Sequence, residues 1–317
     1  MTTQNKTAVV AVGGNALILD KAHEDVNSQM SAVEETCKHI AAMIMLGWNV
    51  VVTHGNGPQV GFILRRNELA YPEVHSTPLD VIGADTQGAI GYMIARALDN
   101  EFKKHGIHRN VAAVVTQVLV DRNDPGFKNP TKGIGGFTTQ DKAEIFKKEG
   151  WIVKEDAGRG WRRMVPSPFP KKILEIETIR TLVKAGVVTI TTGGGGIPVI
   201  DEGDGQYTGV EGAVDKDYAA SLLAQELKAD LFVVSTAVEK VAINFNTSDQ
   251  VWYDKMTLSQ AKQFLADGVH FAKGSMAPKV HAIIWYLENG GKEAVITNPE
   301  NIGRALKGET GTWFFHD

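Results

Sequence analysis

The chain has 317 residues, 43% of them hydrophobic and 22% charged, the make-up of a globular protein long enough for one large α/β unit or two lobes. Its net charge of −4 excludes an overall basic field for nucleic acid or an acidic membrane, and the small basic cluster Arg159, Arg162, Arg163 does not change that. One cysteine, Cys37, excludes an intrachain disulfide framework and points to a reducing, cytoplasmic setting.

In chain order, the apolar run "TAVVAV" (7–12) predicts a strand, closed by Gly13-Gly14-Asn15. Residues 26–46 predict a helix with an apolar stripe, in which Cys37 reads as a small buried hydrophobe. A second strand, "NVVVTH" (49–54), runs into "HGNGP", His54 to Pro58. Helices are predicted over 57–70 and 79–104, then a strand over 110–117. Residues 121–140 and 150–170 are polar and rich in turn residues, with a short helix near 140–149 between them. Together they read as an insertion projecting from the sheet, and a connection this elaborate is usually functional. A helix over 171–185, a strand over 187–192, and the run Gly193 to Gly196 follow. The remainder alternates again: helix 215–228, strand 230–236, helices 257–266 and 275–289, strand 293–297.

The strand runs are almost continuously apolar, which suits parallel strands buried on both faces. Alternation with helices then predicts an α/β fold, an open three-layer αβα sandwich with a mainly parallel central sheet and a small protruding subdomain. No run approaches the ~18 apolar residues of a membrane span. The start "MTTQNK" lacks the basic-then-apolar pattern of a secretory signal.

Glycine is in excess, at 33 residues, and it gathers where strands end. Three glycine loops therefore fall on the carboxyl edge of the predicted sheet, where open α/β folds bind ligands. Glycine there lets backbone N–H groups come close to an anion. No Gly-x-x-x-x-Gly-Lys-Ser/Thr loop occurs, and no Gly-x-Gly-x-x-Gly follows the first strand. The cations come from elsewhere: Lys132 in "NPTKG", Lys216 between Asp215 and Asp217, and Lys279 in "GSMAPK". Lys216 and Lys279 sit at predicted helix starts, where a cation opposes the macrodipole, so an anion between them would explain the placement. Phosphoryl transfer fits this set, because it needs in-line positioning and charge neutralisation more than covalent help. Neither a serine–histidine–acid set nor zinc-ligand spacing is present. His54 reads as a polar loop residue, with ligand contact as the alternative.

The segments "AVGGNAL", "GNGPQVG", "NPTKG", "EDAGRGWRRMVPSP", "GGGGIPV", "VDKDYAASLLA", "AVEKVAINF" and "FAKGSMAPKV" occur in order over almost the whole chain. Together they resemble the carbamate kinases, a branch of the amino acid kinase family. Acetylglutamate kinases and their kin carry a lysine near the first loop; here Gly-Gly-Asn stands there, and the resemblance gives that role to Lys132. It implies transfer of phosphate between carbamoyl phosphate and ADP, in the breakdown of arginine or a related nitrogen source. Gly13, Gly14, Asn15, Gly55, Asn56, Gly57, Gly194 and Gly195 would hold the carbamoyl and phosphate groups. Lys132 and Lys216 would neutralise the phosphoryl group, Lys279 would bind nucleotide phosphates, and Asp217 would orient the lysines. Thr236, Ala237, Val238 and Val241, with Gly274, Ser275 and Met276, would join Lys216 and Lys279 around the nucleotide. Mg2+ would travel with ATP or ADP rather than in a carboxylate cage, and no organic cofactor is implied. A homodimer is implied, with residues 1–185 as the substrate lobe, 186–317 as the nucleotide lobe and a subdomain at about 121–165. One departure is Ala242, where relatives often place an aromatic residue near adenine; Phe245 could substitute. The alternatives are a related kinase for another carboxylate or a nucleotide, and an inactive metabolite-sensing module.

Overall fold

The computed structural model describes residues 6–14, 17–18, 22–148, 150–155, 160–272 and 274–317. Asn15, Arg159 and the first five residues, singled out above, lie outside them.

The chain opens with β1 (Thr7–Val12), α1 (Val26–Met45), β2 (Asn49–His54), α2 (Gly57–Ala70) and α3 (Leu79–His105). It continues through β3 (Val111–Ala113), β4 (Gln117–Val120), α4 (Pro125–Lys128), β5 (Lys132–Thr138), α5 (Gln140–Lys148), β6 (Val153–Glu155), β7 (Trp161–Val165) and β8 (Pro170–Ile173). Next come α6 (Ile176–Lys184), β9 (Val188–Ile190), β10 (Ile197–Asp201), β11 (Tyr207–Gly209), α7 (Lys216–Leu227) and β12 (Leu231–Ser235). The chain closes with β13 (Val241–Ile243), β14 (Val251–Tyr253), β15 (Lys255–Thr257), α8 (Leu258–Asp267), α9 (Met276–Glu288), β16 (Glu293–Thr297), α10 (Ile302–Ala305) and β17 (Thr312–Phe315).

The main sheet has the order β15-β17-β16-β12-β1-β2-β9-β3. Its pairs from β3 to β16 are parallel, and β17 then runs antiparallel to β16. Each face is covered. Ala8, Val10 and Val12 of β1 pack with Val33, Cys37, Ile40 and Ile44 of α1 and Ile94 and Leu98 of α3. Val9 and Ala11, one residue out of phase, pack instead with Leu223 of α7 and Val280 and Ile284 of α9. The continuous apolar run is thus required by two cores, each fully buried valine of β1 contributing about 1.5–3 kcal/mol. The α1 residues recur at helical spacing, and Asp25 caps that helix by accepting from Asn27 N and Ser28 N at 2.9 and 3.1 Å.

Two sequence expectations need correction. The strand expected over 110–117 is two strands in different sheets: β3 lies in the main sheet, β4 in a four-stranded one (β11-β10-β4-β8). The break lies before Thr116, whose N–H donates to Gln87 Oε1 at 2.7 Å while its carbonyl accepts from Gln87 Nε2 at 3.1 Å. The helix expected over 171–185 begins only at Ile176, because Pro170–Ile173 pairs with β4. β9 pairs with β2 and β3, in the half of the main sheet that begins at β1. The inserted segment builds its own sheet, β5-β7-β6, with α5 beside it.

Candidate functional site

The direction of the sheet's winding switches at β1 and β12, the crevice where such sheets hold ligands. The glycine loops are fastened there. Gly13 N–H donates to Ser235 O and Gly55 N–H to Val12 O, both at 3.1 Å. In the third loop Thr192 and Gly194 to Gly196 all take positive φ, a path open to few residues other than glycine. Space is as strict as conformation. A Cβ on Gly193 would stand 2.3 Å from His54 Nε2, and one on Gly194 would stand 2.1 Å from Asn56 Nδ2. Asn56 Nδ2 donates to Thr86 Oγ1 of α3 at 2.9 Å, so the second loop is pinned between α3 and the third.

His54 is a buried support for these loops. It is 1% exposed, and its Nδ1–H donates to Gly55 O at 2.9 Å. Burial pushes its pKa down to about 4, with the nearby Lys216 ammonium adding to the fall against the Gly55 bond. The imidazole is neutral in the folded protein and protonates more readily once unfolded. The unfolded state therefore binds the extra proton between pH 6.5 and 4, and stability falls as pH falls through that window, by about 3 kcal/mol. Urea titrations across this range should show His54→Gln losing the slope that the unsubstituted protein has. Equal slopes would contradict a neutral buried His54.

The lysines converge as a charged relay. Lys216 Nζ lies 2.5 Å from Asp217 Oδ1, and Lys279 Nζ lies 2.9 Å from Asp217 Oδ2. Asp217 is 5% exposed. Burial alone would raise its pKa, but the two ammonium groups outweigh it and hold the carboxyl well below the usual range. Lys279 is shifted down, first by burial and then by Lys216, with Asp217 opposing. Lys132 reaches over from β5 and meets Asp215 Oδ2 at 2.8 Å. Asp215 also caps α7, accepting from Asp217 N at 2.9 Å.

These parts frame a cavity of about 280 Å³. Gly14, Gly55, Asn56, Gly57, Gly194, Lys132 and Lys216 all line it. Gly133, Ile134 and the 212–214 stretch line it too and were not foreseen, although "GAVDKD" adjoins Lys216 and offered a signal. Gly13 and Gly195 stand behind it as loop supports. Thr236, Ala237, Val238, Gly274, Ser275 and Met276 do not line this cavity; Met276 opens α9, whose Lys279 reaches Asp217. Val241 is wholly buried and its N–H donates to Thr312 Oγ1, so its side chain meets core rather than solvent. Ala242 is buried too and pairs with Trp252 across the β13–β14 hairpin. The exposed aromatic surface of that hairpin comes from Phe245 and Trp252, whose rings are 6.2 Å apart. Cys37 is buried, and its thiol pKa is raised by that burial. Amides and ammonium groups around one small cavity are equipped to hold a polyanion and to neutralise charge on a group in transfer.

The amino acid kinase family profile matches residues 6–298. The chain is 46% identical over 308 residues to a carbamate kinase of Pyrococcus horikoshii, covering 96% of this chain and 97% of that one. It is 48% identical over 312 residues to a carbamate kinase-like protein of Escherichia coli, covering 97% and 98%. A solved carbamate kinase from Giardia lamblia, bound to AMP-PNP, superposes with a TM-score of 0.93 at 41% identity, covering 100% of both chains.

Proposed function

This chain belongs to the amino acid kinase family and to its carbamate kinase branch, and from that premise we propose that it transfers a phosphoryl group reversibly between carbamoyl phosphate and ADP, giving carbamate and ATP. One observation carries the reading: three glycine loops, Lys132 and Lys216 face one cavity, and Asp217 ties that cavity to Lys279. Gly13, Gly14, Asn15, Gly55, Asn56, Gly57, Gly194 and Gly195 form the carbamoyl phosphate cradle. Lys132 and Lys216 neutralise the phosphoryl group in transit, and Lys279 holds the nucleotide phosphates. Thr236, Ala237, Val238, Gly274, Ser275 and Met276 form the nucleotide side, with Val241 as backbone support. Asp215 and Asp217 already hold lysines, so Mg2+ is expected on the nucleotide phosphates and not in a carboxylate site. Residues up to the start of α7 act as the substrate lobe and the rest as the nucleotide lobe. The protein works in the cytoplasm as a homodimer. Light scattering measures that mass directly.

The test is ATP formation from ADP, Mg2+ and carbamoyl phosphate, read by luciferase, beside acetyl phosphate and acetylglutamyl phosphate as donors and UDP as acceptor. Rapid ATP from carbamoyl phosphate alone is expected. ATP from another donor supports a related carboxylate kinase. A second reading, an inactive sensing module, is raised by the 48% identity to a protein named only carbamate kinase-like. It predicts bound ADP with no ATP from any donor. Retention of all three lysines and of Asp217 argues against it.

A further inference from the structure

The stretch 211–215, which leads into α7, has a carboxylate at each end. We propose that Glu211 and Asp215 are positioning residues that clasp the subdomain against the body of the protein and so fix Lys132 in the cavity. Each carboxylate divides its two oxygens between body and subdomain. Glu211 Oε1 accepts from the N–H of Leu79, the first residue of α3, at 3.1 Å, while Oε2 accepts from Arg163 of β7 at 3.0 Å. Asp215 Oδ1 caps α7 through Asp217 N, while Oδ2 takes Lys132, the first residue of β5, at 2.8 Å. Between them Ala213 N–H donates to Pro166 O, just beyond β7, at 2.9 Å. The two grasped cations are close neighbours in the subdomain sheet, since Lys132 pairs with Val165 and Ile134 with Arg163. Under the clasp lies a small apolar cluster of Val60, Leu79, Ile82, Ile134 and Val165, with Ala213 packed on it.

Either ion pair alone, being part-exposed, is weak. Acting with the backbone bond and the apolar cluster, the pairs set how often the subdomain is closed. Lys132 starts β5, so it leaves the cavity whenever the subdomain lifts. Apparent affinity for a phosphorylated substrate then scales with the closed fraction. The choice of substrate rests on the function proposed above; the clasp does not.

The test is the Glu211→Gln/Asp215→Asn protein. Asparagine caps a helix as well as aspartate, so α7 keeps its start. Hydrogen exchange of 132–138 and 161–165 should speed up about 10-fold, with α7 and the main sheet unchanged. The apparent KM for carbamoyl phosphate should rise about 10-fold, with kcat and the KM for ADP within about 3-fold. Glu211→Gln alone leaves every cavity-lining side chain intact and should move both readouts in the same direction by less. Unchanged exchange would overturn the clasp. Faster exchange with an unchanged KM would overturn the positioning of Lys132, and a lowered KM would mean that Asp215 competes with substrate for it. If the unsubstituted protein makes no ATP from carbamoyl phosphate, the function proposed above fails, and the exchange measurement still decides the clasp.

Discussion

Lys216→Ala is expected to lower kcat at least 10²-fold while the fold persists. Lys216 is the first residue of α7, where a cation opposes the macrodipole at a cost of about 0.3–1 kcal/mol. Its stem runs along the second glycine loop, since a Cβ on Gly55 would stand 3.5 Å from Lys216 Cδ. Its side chain is 16% exposed and lines the cavity, so its charge acts in a medium poorer than bulk water. Removing one positioned donor from such a site commonly costs 10²–10³ in turnover, about 2.7–4 kcal/mol. The fold has less at stake. Asp217 keeps Lys279, and Asp215 still caps α7. Turnover of ATP synthesis and the thermal midpoint of the same preparation check both halves. Near-normal kcat would remove Lys216 from the reaction; a collapsed midpoint would make it a structural residue.

How far the sequence reached depended on the range over which each feature is determined. The loops after β1, β2 and β9 are legible because in each the glycine run begins within three residues of the end of an apolar strand. The buried state of His54 was legible in principle, since period-two alternation puts it on the face of Val50 and Val52, which are core residues. Its polarity pointed the other way. The Lys132–Asp215 pair was not legible, because its members are 83 residues apart and meet only when the subdomain docks. Glu211 carries no motif at all; its role lies in two partners from distant elements. The β8 strand reads as helix in the sequence because its two exposed lysines, Lys171 and Lys172, between Pro170 and Ile173 look like the polar face of a helix. The β17 strand alternates buried and half-buried residues over only four positions, too few for periodicity to register.

Replacing Asp217 should be more damaging than replacing either lysine, because the carboxylate is the partner of both. In Asp217→Leu two ammonium groups remain in a part-buried space with no counter-charge. Uncompensated buried charge costs about 3–5 kcal/mol, and for a chain of this size that lowers the thermal midpoint by roughly 10 °C. Turnover should fall at least 10²-fold as the lysines move apart. The pH dependence has a definite sign. The folded pKa of Asp217 lies below its unfolded value, so its stabilisation is full above the unfolded pKa and is lost as pH falls through the folded one. The stability gap between the two proteins should therefore be present at neutral pH and close in strong acid. At the alkaline end, burial and Lys216 would act on Lys279 without Asp217 to oppose them, so Lys279 would lose its proton at lower pH than in the unsubstituted protein. A second substitution separates charge from chemistry. Adding Lys279→Met removes one stranded ammonium group and replaces it with an apolar chain of similar length, which should recover part of the lost stability. It should recover none of the turnover, because the nucleotide side then lacks its cation. Recovery of both would mean that Asp217 and Lys279 only hold α7 against α9, and that phosphate neutralisation rests on Lys132 and Lys216 alone.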